Sequence, residues 1–261
     1  MSINEPYPGT QAVMRALALL KSFSDDKPEL NLVELAQAVD LNKTTTYRLL
    51  TALESEGLIT RTPEADAYRL GPESIALGGR AIRANSLPKV SRPELEALAQ
   101  QTKETVTIEI LSGQQSLTLD EISGSYVVGV SRYIGTRWPL HATSTGKVLQ
   151  AHLPPARLDE VLSAPLAAYT PHTIIDVPTL RQELAKVREQ GYAIGNEELE
   201  IGFVAVGAPV RDYNGSVVAA IGVGGSSARL SQAIVFELVD QVMAAAQRIS
   251  ERLGYRKFIE K

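Results

Sequence analysis

The chain has 261 residues, of which 44% are hydrophobic and 21% charged, with a formal net charge of −4 at pH 7; this predicts a globular protein of one large or two smaller domains. The absence of cysteine excludes disulfides, thiolate zinc sites and cysteine nucleophiles, and fits a reducing cytoplasm. No apolar stretch approaches the roughly 18 residues that span a bilayer and residues 1–11 lack the pattern of a secretory signal, so we expect a cytoplasmic protein without a membrane partner.

Two helices are predicted at the start of the chain. Apolar residues recur at helical spacing over residues 12–23. Asn31, with Glu34 three residues later, matches a capping box that begins a second, short helix. A turn at residues 40–42 separates this helix from the next one.

A third helix and a small hairpin complete the N-terminal part. The helix is predicted over residues 43–56, with Tyr47, Leu50 and Leu53 buried on one face and Gly57 as its C-cap. Two extended segments with a turn between them follow, at residues 58–61 and 67–70. Three helices and a hairpin predict a winged helix-turn-helix over residues 1–71.

The start of the third helix carries the residues expected to contact DNA. Residues 42–48, NKTTTYR, contain two cations and no acid. The second helix of a helix-turn-helix enters the major groove, where hydroxyls and cations bond phosphates and base edges. A solvated first turn is the structural alternative. The predicted contacts are Asn42, Lys43, Thr44, Thr45, Thr46 and Arg48, with Arg61 and Arg69 on the wing.

The charge balance argues against a simple nucleic-acid binder. Residues 1–84 contain nine Lys and Arg against eleven Asp and Glu, whereas such domains usually carry a basic surface. Affinity for a double-stranded DNA operator must therefore come from local placement of charge and from doubling by dimerisation. A winged helix that binds protein remains the alternative.

The rest of the chain predicts an α+β domain over residues 88–261, joined by a linker helix at residues 72–87. Pro93 is expected to open an amphipathic helix. Helices outside a largely antiparallel sheet are indicated by the pattern. The predicted strands are residues 105–111, 115–121, 126–131, 203–211 and 216–223, and the further helices are residues 143–152, 155–162, 178–190 and 231–253.

Several runs resemble the IclR-type bacterial regulators. Residues 11–20 (QAVMRALALL) look like the first helix of that family and residues 35–50 (LAQAVDLNKTTTYRLL) like its helix-turn-helix. Further similar runs are YRLG at 68–71, PLHATSTGK at 139–147, GY at 191–192 with EE at 197–198, and APVRD at 208–212. The resemblance implies a GAF-like effector domain, a homodimer or homotetramer, and control of carbon-source genes by small organic acids or aromatics.

The resemblance also implies an effector pocket, and a carboxylate docked at the backbone N–H groups that begin a helix at Ser144 and Thr145. Some family members have an acid at the position of Gly195 and a cysteine at that of Ala205. Trp138 and Phe203 are bulky, which favours an aromatic or longer-chain acid; alternatively, the two rings fill the pocket. The implied lining residues are Val127, Val130, Trp138, Ser144, Thr145, Gly195, Phe203 and Ala205.

An enzyme is the competing class of protein. His141 lies near Ser144, but there is no Gly-x-Ser-x-Gly elbow and no Walker A motif around Lys147. The three histidines show no metal-ligand spacing. We therefore predict no catalytic residue, no metal and no cofactor, and interpret His141 as a hydrogen-bonded structural residue.

Overall fold

The computed structural model describes residues 10–62, 66–84, 86–126 and 134–256. The chain divides into two compact units, Met1–Asn85 and Ser86–Lys261.

The first unit packs helices against a small antiparallel sheet with strand order β1-β3-β2. Its core is formed by seven buried side chains, which are Leu19, Leu30, Leu35, Leu50, Leu53, Ile59 and Tyr68. Its elements are α1 (Gln11–Leu20), β1 (Leu30–Asn31), α2 (Leu32–Ala38), α3 (Lys43–Ser55), β2 (Ile59–Thr62), β3 (Ala67–Leu70) and α4 (Pro72–Ala84).

The local signals at the helix ends are confirmed. Asn31 Oδ1 accepts from the backbone N–H groups of Val33 and Glu34, and the Glu34 carboxylate accepts from the Asn31 N–H at 2.8 Å, which is the predicted capping box. Gly57 follows α3 with a φ of +68°, a conformation that glycine adopts without steric cost.

The prediction that Tyr47 is buried is wrong. Its relative exposure is 51%, whereas Leu50 is fully buried. The buried face of α3 is Thr46, Leu50 and Leu53, spaced four and three residues apart. Tyr47 lies about 100° further round the helix and therefore points to solvent.

In the described part of the second unit, six antiparallel strands form a sheet in the order β6-β5-β4-β9-β8-β7, and helices pack on it, which confirms the α+β class and the antiparallel pairing. A short 3-10 turn, Leu140–Ala142, precedes α6. The elements are α5 (Ser86–Thr102), β4 (Thr105–Ser112), β5 (Gln115–Ile122), β6 (Arg137–Pro139), α6 (Ser144–Ala151), α7 (Pro155–Val161), α8 (Val177–Gln190), β7 (Ala193–Asn196), β8 (Phe203–Arg211), β9 (Val217–Ser226) and α9 (Gln232–Arg252).

Alternation along β9 assigns the two faces of the sheet. Ile221 and Val223 belong to the core shared with α5 and α9, whereas Ala220 belongs to the core shared with α6 and α8. Gly222 lies on the α6 face, because successive side chains point to opposite faces. A Cβ on Gly222 would meet Thr145 Cγ2 at 2.7 Å. Glycine here therefore lets the start of α6 approach the sheet.

Two boundaries differ from the sequence prediction. Helix α5 begins at Ser86 and contains Pro93 in its interior, because Leu87 and Ser91 are buried and the Ser91 hydroxyl donates to the Leu87 carbonyl at 2.8 Å. Of the strand predicted at 126–131, residues 127–131 lie outside the described residues, and Tyr126 is in a turn. Periodicity alone does not reveal β1, β6 and β7, which are too short to show a clear period.

Candidate functional site

The exposed start of α3 is the first candidate site. Lys43, Thr44 and Arg48 are exposed, and within the described chain neither cation forms an ion pair. Asn42 is the N-cap, and its Oδ1 accepts from the Thr45 N–H at 2.8 Å. Sequence reasoning missed Tyr47, which adds an exposed phenol to this face.

The prediction that Thr46 contacts DNA is wrong. Its relative exposure is 0%, and its hydroxyl donates to the Asn42 carbonyl at 3.0 Å. The run of three threonines therefore divides by helical geometry. Thr44 is exposed and Thr45 half-buried, whereas Thr46 is part of the core face.

The two arginines of the wing, the hairpin of β2 and β3, lie on opposite faces. Arg61 pairs across the hairpin with Tyr68, and Arg69 pairs with Thr60. Directly paired residues share a face, while neighbours along a strand do not. Arg61 also forms an ion pair with exposed Asp66, so its charge is partly offset.

A cavity of about 370 Å³ in the second unit is the second candidate site, within the usual size range for small-molecule pockets. Its floor is the α6 face of the sheet, where Gly195, Ala205, Gly222 and Gly224 carry no long side chain. The start of α6 forms one wall. The predicted residues Trp138, Ser144, Thr145, Gly195, Phe203 and Ala205 all line this cavity, whereas Val127 and Val130 lie outside the described residues.

The two aromatic rings border the cavity without closing it. Trp138 Nε1 donates to Thr118 Oγ1 at 3.1 Å, which holds the indole at the wall. The Phe203 ring lies across Gly224, where a Cβ would meet Phe203 Cζ at 2.5 Å. Both rings therefore form part of the lining of the cavity, and neither fills it.

The start of α6 presents two unused backbone donors at the cavity. Ser144 and Thr145 are 2% and 4% exposed, and within the described chain neither backbone N–H has an acceptor, whereas the next N–H, that of Gly146, donates to Thr143 Oγ1. The first N–H groups of a helix lack partners inside the helix. These two N–H groups can therefore donate to an oxygen of a bound molecule.

Glu109 is a buried carboxyl of the cavity that sequence reasoning missed. It is 5% exposed and accepts hydrogen bonds from the hydroxyls of Ser116 at 2.6 Å, Thr145 at 2.8 Å and Thr107 at 3.2 Å. Within the described chain it forms no ion pair. Burial raises the pKa of Glu109, and the three hydroxyl hydrogen bonds only partly oppose this. Polar residues at alternate positions of β4, Thr105, Thr107 and Glu109, are the sequence signal that predicts such a face.

Other carboxylates line the cavity, so its wall is less apolar than the aromatic residues suggested. Glu104 forms two hydrogen bonds to Arg229, at 2.8 and 2.9 Å, and the Arg229 guanidinium stacks 4.7 Å from the Tyr126 ring centre. Glu198 pairs with buried Lys147 at 2.7 Å. Glu121 and Glu200 also belong to the wall, and Arg229 is the only cation among the described lining residues.

The candidate catalytic pair is not supported by the geometry. His141 Nε2 bonds the Ala167 carbonyl at 2.9 Å, which fits a structural role. In the described parts of the chain, no cluster of three His, Asp or Glu side chains is arranged to hold a metal ion. No helix of those parts has the length and apolar character required to cross a membrane.

Comparison with known families accounts for both units. The IclR helix-turn-helix domain matches residues 12–63, and the bacterial transcriptional regulator IclR C-terminal domain matches residues 79–251. The chain belongs to the IclR family. It is therefore a DNA-binding transcriptional regulator with an effector-binding domain, and not an enzyme.

Individual relatives agree over nearly the whole chain. The HTH-type transcriptional regulator XynR of Escherichia coli is 32% identical over 249 residues, covering 95% of this chain and 99% of the relative. An IclR-type regulator from a Silicibacter species has a similar structure, with a TM-score of 0.83, 29% identity and coverage of 94% and 97%. An IclR homologue from Microbacterium hydrocarbonoxydans, in complex with 4-hydroxybenzoate, has a TM-score of 0.80, 26% identity and coverage of 93% and 98%.

Proposed function

We propose that this IclR-family regulator senses a small organic or aromatic acid in the cavity beside α6 and controls catabolic genes in response. The observation that carries the proposal is a cavity of about 370 Å³ that combines buried N–H donors with Arg229, the only cation among its described lining residues. Similarity to a homologue that binds 4-hydroxybenzoate supports an aromatic acid. The contacts proposed are those of Trp138, Ser144, Thr145, Gly195, Phe203 and Ala205.

For the operator, we propose that the exposed start of α3 enters the major groove. Lys43, Thr44, Thr45, Tyr47 and Arg48 supply donors there, while Asn42 caps the helix. Arg69, and Arg61 to a smaller extent because of its partner Asp66, are proposed to contact the DNA backbone.

The proposed active species is a homodimer or homotetramer. Exposed apolar side chains on α1 and α4 support this, since Met14, Leu17, Ile75 and Leu77 are between 44% and 77% exposed. We propose residues 72–87 as the linker segment between domains at 1–71 and 88–261. An effector that favours one arrangement shifts the population between DNA-competent and DNA-incompetent states.

A thermal-shift screen of the full chain against small organic and aromatic acids tests effector binding, because a ligand of the folded state raises the melting temperature by mass action. A positive acid is then titrated with and without operator DNA. Coupling requires that DNA changes acid affinity by the same factor as the acid changes DNA affinity, about 5- to 150-fold. No shift with any acid contradicts the proposed effector class.

Replacing Arg48 with Ala tests the DNA surface. We expect weaker binding to DNA that the wild-type protein binds, and a shallower salt dependence, because one fewer phosphate counterion is released. Acid binding should remain unchanged. Lys27→Ala, which removes an exposed cation outside α3, is the matched control. Equal loss of DNA and acid binding would mean that Arg48 is structural.

A further inference from the structure

A second crevice, of about 480 Å³, lies in the C-terminal unit and shares no described lining residue with the cavity at the start of α6. Its walls come from the turn between β4 and β5, the 3-10 turn before α6, helix α6 itself, and the end of α7 with the loop that follows it. We call it the Gln150 crevice, and its walls include His141, Tyr169, Pro139 and Pro165.

The side-chain amide of Gln150 is the group in this crevice that lacks a partner. Gln150 is 1% exposed, and within the described chain its Oε1 has no hydrogen-bond partner. A buried polar atom without a hydrogen bond destabilises the folded state, so most such atoms in native proteins are paired. A molecule that enters the crevice and donates an N–H to this oxygen would remove the cost.

Helical geometry directs Gln150 away from the acid cavity. Gln150 lies five positions after Thr145 on α6, which corresponds to a rotation of about 140° round the helix axis. Thr145 therefore borders the acid cavity, whereas Gln150 lines the crevice. The 3-10 turn lies between the two spaces, because Leu140 and His141 line the crevice and Ala142 lines the cavity. The two sites are thus separate, although they share one helix.

The polar groups of the Gln150 crevice are uncharged. Its described lining residues include no Asp, Glu, Lys or Arg, so a bound ion would lose hydration without gaining an opposite charge. His141 Nε2 bonds the Ala167 carbonyl at 2.9 Å. Because a carbonyl only accepts, Nε2 carries the proton, and Nδ1 of the neutral ring is an acceptor. These groups favour a neutral ligand that has N–H donors.

Flat side chains in the crevice favour a planar ligand. The His141 and Tyr169 rings have centroids 5.9 Å apart and planes inclined at 39°, and the rings of Pro139 and Pro165 also line the space. Tyr169 is 48% exposed, so its ring remains accessible to a bound molecule. Aromatic rings pack against other flat groups in offset or tilted arrangements.

We propose that the Gln150 crevice is a second ligand site, which binds a small, uncharged, planar molecule with adjacent N–H and C=O groups, a lactam or a carboxamide. The ligand N–H donates to Gln150 Oε1, and Gln150 Nε2 donates to the ligand carbonyl, so that the two amides pair side by side. The proposal goes beyond acid sensing and does not depend on it, because the two sites have no described lining residue in common.

Titration of the full-length protein with 2-pyridone, a planar lactam, tests the site. N-methyl-2-pyridone is the matched probe, because a methyl group replaces the N–H while the ring and the carbonyl stay in place. We expect the wild type to bind 2-pyridone about tenfold more tightly than its N-methyl derivative, since the methylated ring leaves Gln150 Oε1 without a donor. Ligand-observed NMR measures both dissociation constants.

Two variants locate the binding in the crevice. In Gln150→Met, which removes the amide and keeps a side chain of similar length, the two pyridones should bind equally. The melting temperature of this variant should not fall, because an unpaired buried oxygen is removed. In Tyr169→Ala, at an exposed position, both pyridones should bind severalfold more weakly while the preference for the N–H remains. Gln232→Leu removes an exposed glutamine of α9 and is the matched control, with wild-type affinities expected.

The outcomes are distinct from those of the acid screen. No binding of 2-pyridone to the wild type, the result expected if a single water molecule satisfies Gln150, would overturn the second site. Equal affinities for the two pyridones in the wild type, or a preference that persists in Gln150→Met, would overturn it as well. Unchanged affinities in Tyr169→Ala would place the ligand outside the crevice. Binding of each variant to DNA reports that the chain is folded, and failure of every acid to bind contradicts the acid-sensing function alone.

Discussion

At the scale of single residues, a buried carboxyl and a half-buried histidine link stability to pH in opposite directions. Burial raises the pKa of Glu109, whereas burial lowers the pKa of His152. In both cases the charged form is disfavoured, because charge is poorly solvated in the protein interior. The folded state therefore binds the Glu109 proton more tightly, and the His152 proton less tightly, than the unfolded chain does.

Replacing Glu109 with Gln should stabilise the unliganded protein at neutral and alkaline pH. The raised pKa means that the wild type loses stability as the pH rises from 4.5 through the folded-state pKa. We expect a gain on the order of 1 kcal/mol at pH 8, since glutamine avoids burial of a charge and keeps an acceptor for the hydroxyls. Urea unfolding from pH 4.5 to 8 should show the two proteins converging at acid pH; a constant difference would contradict this.

His152 should make the protein less stable as the pH falls below about 6.5, the ordinary pKa of histidine. Its Nδ1–H donates to the Val148 carbonyl at 2.9 Å, and its Nε2 accepts from Arg211 at 3.1 Å. Protonation of Nε2 would place an N–H against the guanidinium. Because the folded pKa is lowered, the unfolded chain takes up the proton first, and stability is lost toward acid pH.

The measurement for His152 is the melting temperature between pH 5 and 8. The free energy of unfolding that is lost between pH 7 and 5 should be smaller in His152→Gln than in the wild type by on the order of 1 kcal/mol, and the melting temperature should fall less. His172→Gln removes an exposed histidine and is the matched control. An unchanged pH profile in His152→Gln would show that other groups cause the acid sensitivity.

At the scale of elements, helix α6 connects local structure with binding. Its N-cap Thr143 has extended backbone angles, φ −125° and ψ 149°, so Ser144 is the first helical residue. Proline is tolerated at this position and favours extended angles in the residue before it. One backbone donor can therefore be removed with little strain.

Replacing Ser144 with Pro should thus weaken acid binding about tenfold while changing the melting temperature little, because it removes one N–H that has no acceptor within the described chain. Ser144→Ala, which keeps the N–H, is the control for loss of the hydroxyl. Calorimetry measures both affinities. Wild-type affinity in the proline variant would place the effector elsewhere.

At the scale of the whole molecule, the proposed homodimer is expected to bind DNA through two α3 helices acting together. Ile75 on α4 is 77% exposed, so replacing it with Glu should leave the fold intact and disrupt the proposed interface between protomers. We expect a halved mass in sedimentation and a loss of DNA affinity of about a hundredfold, since two-site binding is lost. Tyr213→Glu, at a 72% exposed position, is the control. An unchanged mass would exclude this face from the interface.

The sequence by itself determined the class of the protein and most of its elements. The capping box at Asn31 and the Gly57 helix end are local signals, because short-range hydrogen bonds and backbone angles encode them. The resemblance to the IclR family located the start of α6 and both aromatic residues of the cavity.

Only the tertiary structure decided which side chains face the two sites. Helical spacing did not reveal that Thr46 is buried and Tyr47 exposed, since that depends on where α3 packs. Glu104 and Arg229 are 125 positions apart and meet only through folding. Glu109 lies in the cavity because β4 pairs with β5 and the start of α6 packs on the same face of these strands. Burial and charge balance are properties of the assembled site, and local sequence patterns do not specify them.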